Sequence, residues 1–422
     1  MVTTRVIASA DATRAKAAQI SGAVAVGLYQ IGRSPIPGVG HGLPHTVAGL
    51  PQPPSVRAWD FLSIALAVFG ADRFVLRNNT DDGWTRVIAL DVEVVEPAPW
   101  NAVAQDLAQT LRFLTGDIWQ LSFRPGGRVA PKFHPLLSDR TCVTLFSGGM
   151  DSLIGTLDLL ANNERPLLIS QASRIEGQVQ AYLAERLGLT DHRFDGRVTA
   201  LGLDQPERGG EKYELSARAR SILFLAYGAV AASNLGGELI VPENGLISIN
   251  PPLTRRRFGS LSTRTTHPNF ISGLQSIFDA VGLTVRLRNP YGFKTKGEML
   301  AECADPRIQA LASSSWSCGK GNRKNQQCGL CVPCLIRRAS FMKAGTQDAT
   351  PYRTMDLVAG AKNDDVFAAR FAAAQLTNRD IGRWASESGP LPHDPNIRAA
   401  YVDVVRRGLG ELKELLDTVA WP

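Results

Sequence analysis

The stretch TLFSGGMDSL, residues 144–153, decides how this chain reads. The apolar run at 143–146 predicts a buried strand. Ser147-Gly148-Gly149 follows at once, and Asp151-Ser152 opens the helical pattern LIGTLDLLANN. Strand, glycine turn and helix N-terminus together make an anion site: backbone N–H groups point out of the turn and the helix end carries partial positive charge. Gly148 and Gly149 lack Cβ atoms, so phosphate can approach their backbone closely. Ser147 and Ser152 add hydroxyl donors, and Asp151 is a candidate Mg2+ ligand. The stretch is not a G-x-x-x-x-G-K-[ST] loop, because the phosphate-binding lysine of that pattern is missing.

Outward from this point the chain divides into three. Residues 1–138 mix strand cues (RVIAS, AVGLYQI, RFVLR, RVIALDVEVV, IWQLSF) with the helical segments WDFLSIALAVFG and NAVAQDLAQTLRFLTG, which predicts an N-terminal α+β domain. Turns are expected at Ser34-Pro35 and at 51–54, and Gly116 is expected to close a helix. Over 139–345 strands alternate with helices (LLIS, HRFDGRVTAL, ELIV and LTVRLRNP, with a long helix near 215–235), the rhythm of a doubly wound parallel α/β sheet. Ligands of such sheets bind beyond the carboxyl ends of the strands, which nominates 147–152, Ser170-Gln171, Glu243-Asn244 and the segment after Pro290. Residues 346–422 read as a C-terminal helical extension.

Composition narrows the class. At 422 residues, two or three domains are expected, and 44% hydrophobic with 20% charged residues fits a soluble globular enzyme. No apolar run approaches the ~18 residues of a membrane span. The N-terminal MVTTRVIASADATRAK lacks an apolar segment behind a basic start, so a cytoplasmic protein without a membrane partner is expected. A net charge of +7 over this length disfavours nucleic acid as a partner. The densest basic spot, 254–257, reads as a solvated loop or a contact to phosphate or an acidic partner.

Cys318, Cys328, Cys331 and Cys334 form C-x9-C-x2-C-x2-C. Four thiolates at this spacing suit tetrahedral Zn2+, and a complete shell makes such a zinc structural (the knuckle spans 318–334). Gly329 supplies the tight turn of a C-G-x-C knuckle. An iron–sulfur cluster uses the same ligands and stays open as an alternative. Cys142 and Cys303 read as buried core thiols.

SGGMDS resembles the SGGxDS signature of the PP-loop ATP pyrophosphatases, which have the adenine nucleotide alpha hydrolase-like fold. The resemblance implies cleavage of ATP between its α- and β-phosphates and adenylation of a substrate oxygen. Followed by WSCGKGNRKNQQCGLCVPCLIRRASFMKAG, it resembles the QueC family, the 7-cyano-7-deazaguanine synthases of the queuosine pathway. NPYGFKTKGEML (289–300) and SARARSILFLAYGAVAASNLGG (216–237) resemble two further family segments, and the likeness covers about residues 140 to 345. The enlarged layout, with AWDFLSIALAVFGADRFVLR near its start, is similar to QueC-like proteins of anti-phage operons, the QatC group of the Qat system.

The resemblance implies ATP, Mg2+ and structural Zn2+ as cofactors and 7-carboxy-7-deazaguanine or a related deazapurine as substrate. Phe146, Ser147, Gly148, Gly149, Asp151, Ser152 and Ser170 would hold the nucleotide. Asp151, Lys296 and Arg220 would act in the adenylation step; for Arg220 a surface ion pair and for Lys296 a surface helix position are the bland readings. Glu243 and Asn244 would read the guanine-like edge. Arg264, Thr266 and His267 would line the substrate wall, where STRTTHPNF departs from the family's pattern; His267 takes a proton from an amine or is structural. The expected reaction is ATP-dependent carbon–nitrogen ligation to ammonia or to an amine of a partner protein encoded in the same defence operon. A tRNA-modifying PP-loop enzyme and a non-catalytic nucleotide-binding module remain alternatives.

Overall fold

A computed structural model describes residues 2–29, 36–131, 139–171, 174–196, 213–214, 216, 218–233, 235–254, 264–320 and 326–421. The arginines at 255–257, the Ser34-Pro35 turn and the start of the long helix at 215 lie outside these residues. The chain runs β1 (Thr3–Ser9), α1 (Ala12–Ile20), β2 (Val24–Leu28), β3 (Gly38–Val39), α2 (Leu43–Ala48), α3 (Val56–Phe74), β4 (Val87–Val94), α4 (Pro97–Ala102), α5 (Ala104–Thr115) and β5 (Ile118–Pro125). It continues through β6 (Cys142–Leu145), α6 (Met150–Ala161), β7 (Pro166–Ser170), α7 (Arg174–Arg186), β8 (Arg193–Asp195), α8 (Arg220–Ala232), β9 (Glu238–Ile240), α9 (Gly245–Ile249), α10 (Pro268–Val281), β10 (Arg286–Arg288), α11 (Lys296–Glu302), α12 (Arg307–Leu311) and α13 (Val332–Ala344). The last helices are α14 (Asp364–Gln375), α15 (Ile381–Ser386) and α16 (Pro395–Asp417).

Two five-stranded parallel sheets result, ordered β3-β2-β1-β4-β5 and β10-β9-β6-β7-β8. Parallel strands need crossovers and cover on both faces, so their sequences are apolar runs such as CVTL and PLLIS, buried throughout. In the second sheet the order reverses between β6 and β9, so the turns after these two strands flank a topological switch point. The chain forms two compact units. One comprises Met1–Val143, Phe194–Leu239 and Phe270–Leu287; the other comprises Thr144–Arg193, Ile240–Asn269 and Arg288–Pro422.

In the first unit the strands that the sequence placed in an α+β domain pair in parallel, β1 with β2 and β4, β4 with β5. This unit is therefore α/β as well. The RFVLR segment does not form a strand: nothing between Ser55, which caps α3 through Ala58 N–H, and Phe74 interrupts the helix. Gly116 closes α5 at φ +81°, the left-handed cap expected of it. Beneath it lies a buried ionic network that no local pattern announces. Arg86 donates to Asp117 at 2.6 Å and to Asp72 at 2.5 Å, and Arg77 donates to Asp117 at 2.8 Å.

In the second unit α6 carries the apolar face Met150, Leu153, Ile154 and Leu157 into a core with Leu168, Leu183, Met299 and Phe341. A second core joins Leu246 and Ile249 of α9 and Val332 and Ile336 of α13 to Trp384 of α15 and to Val405 and Leu409 of α16. No helix among the described residues is long and apolar enough to cross a membrane.

Candidate active site

β6 ends at Leu145, and the chain turns through 146–149 into α6. Phe146 anchors the turn in the core, its N–H donating to Ile169 O at 2.6 Å. Gly148 sits at φ +81°, where a Cβ would stand 3.1 Å from Gln180 Cγ. Gln180 Nε2 donates to Ser147 O at 3.0 Å, and the Trp316 N–H donates to Gly148 O at 2.8 Å, so the turn is held from two sides. Gly149 caps α6 without a side-chain hydrogen bond, which leaves first-turn N–H groups for a ligand. Ser152 Oγ donates to Gly149 O at 3.0 Å and lies 3.2 Å from Ser147 Oγ.

Asp151 faces inward from the first turn of α6 and is buried. Its Oδ1 pairs with Lys296 Nζ, and its Oδ2 accepts from Asn244 N at 3.1 Å and Nδ2 at 2.7 Å. Local sequence explains both partners. Thr295 and Glu298 of TKGE form a capping box, Thr295 Oγ1 accepting at 3.1 Å and Glu298 Oε2 at 2.9 Å, which places Lys296 at the first position of α11. Asn244 is the N-cap of α9, its Oδ1 accepting from Ile247 N at 3.1 Å.

Burial opposes the ionisation of Asp151, but the Lys296 ammonium and the hydrogen bonds of Glu243 and Asn244 outweigh it and hold the carboxyl at about 2. For Glu243, burial and then the neighbouring Asp151 carboxylate push the carboxyl well above the usual range. Ionisation of the pair therefore falls first on Asp151, and Glu243 is the member held toward its protonated form.

Asn244 is fully buried behind them, and Asp151, Glu243 and Lys296 line a cavity of about 520 Å³ with Ser147, Gly149, Met150, Trp316, Lys320 and Asp365. Sequence reading had not singled out the last four. Trp316 and Lys320 flank Cys318, so the knuckle itself was the signal for them. Asp365 reads locally as nothing more than an acidic first turn of α14.

The other expected site residues do not line this cavity. Ser170 is buried, its Oγ donating to Phe146 O at 3.1 Å, which ties the ends of β6 and β7 together. Arg220 opens α8 in the first unit, where Arg218 stacks 4.2 Å from the Trp84 ring centroid. His267 is fully buried and its Nδ1 accepts from Asn269 N at 3.2 Å. Burial, then the Arg264 charge, lowers this imidazole to about 3, so it is neutral near pH 7. Thr266 is half-buried beside it.

The four knuckle cysteines are buried, with every sulfur within 4.8 Å of the others. Cys318 and Cys331 Sγ stand 3.8 Å apart, and Cys328 and Cys334 Sγ 3.9 Å. A tetrahedron with metal–sulfur arms of about 2.3 Å has edges of about 3.8 Å, so the donor set fits Zn2+. Backbone N–H groups of Lys320 and Cys328 donate to Cys318 Sγ at 3.4 and 3.3 Å, and Cys331 N to Cys328 Sγ at 3.2 Å. Gly329 turns the knuckle at φ +81°. Cys303 stands at the C-cap of α11 and is half-buried; burial and Asp158 push its thiol up to about 12.

Comparison with known proteins bears on this site. Residues 265–345, which hold Lys296 and all four knuckle cysteines, match the family model described as queuosine biosynthesis protein QueC. The 7-cyano-7-deazaguanine synthase 1 of Sphingopyxis alaskensis is 26% identical over 237 residues, 51% of this chain and 100% of that protein. The 7-cyano-7-deazaguanine synthase of Novosphingobium aromaticivorans is 27% identical over 243 residues, 53% of this chain and 98% of that protein. That of Ectopseudomonas mendocina is 27% identical over 233 residues, 51% of this chain and 100% of the relative.

Proposed function

We propose that this chain is an ATP-dependent ligase that adenylates 7-carboxy-7-deazaguanine and passes the acyl group to an amine. The reading rests on one observation above the rest. An ionised Asp151–Lys296 pair sits at the N-terminus of the helix that follows the SGGMDS turn. The similarity to deazaguanine synthases over half of the chain supports the substrate class.

In this mechanism the ATP phosphates lie over the turn at 147–149 and take the first-turn N–H groups of α6 and the hydroxyls of Ser147 and Ser152. The substrate carboxylate oxygen bonds to the α-phosphorus as the bond to the bridging oxygen of the β-phosphate breaks, and pyrophosphate leaves. Lys296 neutralises charge that grows on the α-phosphate, and Asp151 holds that side chain in place. Glu243 lines the cavity and presents its carboxyl group to the deazapurine edge, while Asn244 is spent on holding Asp151. An amine nitrogen then bonds to the acyl carbon, the bond to the AMP oxygen breaks, and the amine proton passes to solvent. Asp151 is the carboxylate of this cavity's turn that would hold Mg2+. When bound there, Mg2+ would offset phosphate charge. Zn2+ on the four cysteines would fix the wall that carries Trp316 and Lys320.

For the acceptor we propose an amine of a partner protein from the same defence operon, with ammonia as the alternative. The roughly half of the chain outside the matched region is the part that can hold such a partner. Incubation with purified operon partners, ATP and the deazaguanine acid, followed by intact mass spectrometry, is expected to show a partner gaining the acyl mass. Free nitrile beside unmodified partners would overturn the acceptor assignment. Absence of pyrophosphate would sink the ligase reading itself and leave a nucleotide-binding module.

A further inference from the structure

Among the described residues lining the cavity, the cations are Lys296 and Lys320 and the carboxyl groups are Asp151, Glu243 and Asp365. Glu243 is held toward its protonated form, so the two lysines face chiefly the carboxylates of Asp151 and Asp365. Each lysine is already paired, Lys296 with Asp151 and Lys320 with Asp365. A cavity that accepts a polyphosphate needs one of these cations turned toward it.

The two pairs differ in what holds them. Lys296 and Asp151 side chains are 9% and 6% exposed, so opening that pair would strand two buried charges. The Lys320 side chain is 57% exposed and Asp365 8%, so opening this pair returns the ammonium to solvent and leaves one buried charge instead of two, at a smaller cost. Asp365 does not depend on Lys320 for its stability. It lies in the first turn of the twelve-residue helix α14, its N–H donating to the Asn363 cap at 3.0 Å, where the helix end favours a carboxylate. The Lys320 backbone is fixed by its N–H bond to Cys318 Sγ, while its flexible stem leaves the ammonium free to swing.

We propose that Lys320 is a phosphate-binding residue of this cavity, and that Asp365 is a positioning residue, supplied by the helices beyond residue 345, that parks the ammonium until nucleotide arrives. The inference rests on the ATP reading above.

The test uses the full zinc-loaded chain and Mg2+ with a nucleotide whose α,β-bridge is methylene, titrated calorimetrically. Lys320→Ala is expected to weaken binding about tenfold or more, the worth of a charge-assisted hydrogen bond. Lys320→Arg restores most of the affinity. Asp365→Asn removes the competing carboxylate and is expected to tighten binding about twofold or more, as loss of a half-exposed ion pair would. The double variant binds like Lys320→Ala, because Asp365 acts only through Lys320. Zinc content measured on each variant reports whether the knuckle is folded. Unchanged affinity in Lys320→Ala, or weakening in a zinc-replete Asp365→Asn, overturns the proposal. Should Asp365→Asn lose zinc, Lys320→Ala and Lys320→Arg decide alone. Wild-type protein that fails to bind the analogue refutes the ATP reading rather than this one.

Discussion

Asp151 and Lys296 stand 145 residues apart in sequence, and each makes the other tolerable in the interior. Removing one partner of such a pair leaves a buried charge uncompensated, at a cost of about 3–5 kcal/mol, whereas neutralising both restores much of it. Lys296→Ala is therefore expected to lower the melting temperature by several degrees, and the double variant Asp151→Asn with Lys296→Met to recover most of that loss. Neither is expected to release pyrophosphate at more than about one hundredth of the wild-type rate, because the charge aimed at the α-phosphate is gone in both. Thermal melts and a pyrophosphate assay separate the two effects, and a double variant that regains activity along with stability would sink the assigned role. The sequence marks these two residues well, because their positions follow from local rules: Asp151 from the turn-to-helix junction, Lys296 from the T-K-G-E capping box. Their mutual contact does not follow from those rules, since it depends on a crossover that no local pattern encodes.

The turn at 147–149 and the knuckle at 318–334 are legible at the scale of the element because each obeys a short-range constraint, a left-handed glycine in one and metal-ligand spacing in the other. Gly148→Ala must hold a Cβ at φ +81° and 3.1 Å from Gln180 Cγ. A loss of about 1–2 kcal/mol is expected, together with a misplaced anion site. Circular dichroism melts and analogue binding check this; unaltered affinity would show that the turn does not hold phosphate. A less visible element contact joins α16 to α11. Glu411 accepts from Thr295 Oγ1 at the N-terminus of α11. Burial raises the Glu411 carboxyl to about 7, with the Thr295 hydrogen bond opposing. The folded state thus keeps a proton that the unfolded chain releases near 4.5, so stability from this group is full below that pH and declines as pH rises toward 7. Glu411→Gln removes the decline, worth about 3 kcal/mol by the linkage relation. Melting temperatures taken between pH 5 and 8 are expected to fall for the wild type and to stay flatter for the variant; parallel curves would refute the assignment.

At the scale of the whole chain, the helices beyond 345 are read from sequence as an extension, and amphipathic periodicity cannot say what their apolar faces cover. They cover the site's own scaffold. Leu246 and Ile249 of α9, which follows Asn244, and Val332 and Ile336 of the knuckle helix pack with Trp384, Val405 and Leu409. Trp384 is fully buried and its Nε1 donates to Pro252 O at 2.8 Å. Gly408 on α16 comes so near α9 that a Cβ there would stand 2.9 Å from Leu246 Cδ2. Each large apolar side chain uncovered costs about 1.5–3 kcal/mol, and four of them approach the 5–15 kcal/mol that typically holds a domain. A chain ending at residue 345 is thus expected to lose soluble yield, zinc and pyrophosphate release together, although it retains every residue of the QueC-matching segment. Trp384→Ala is the graded form of the same experiment. It is expected to destabilise by about 3–5 kcal/mol while leaving a detectable fraction of folded, zinc-bound protein. A truncated chain that stays soluble, binds zinc and releases pyrophosphate at the full rate would show that the helices serve only the partner and not the site.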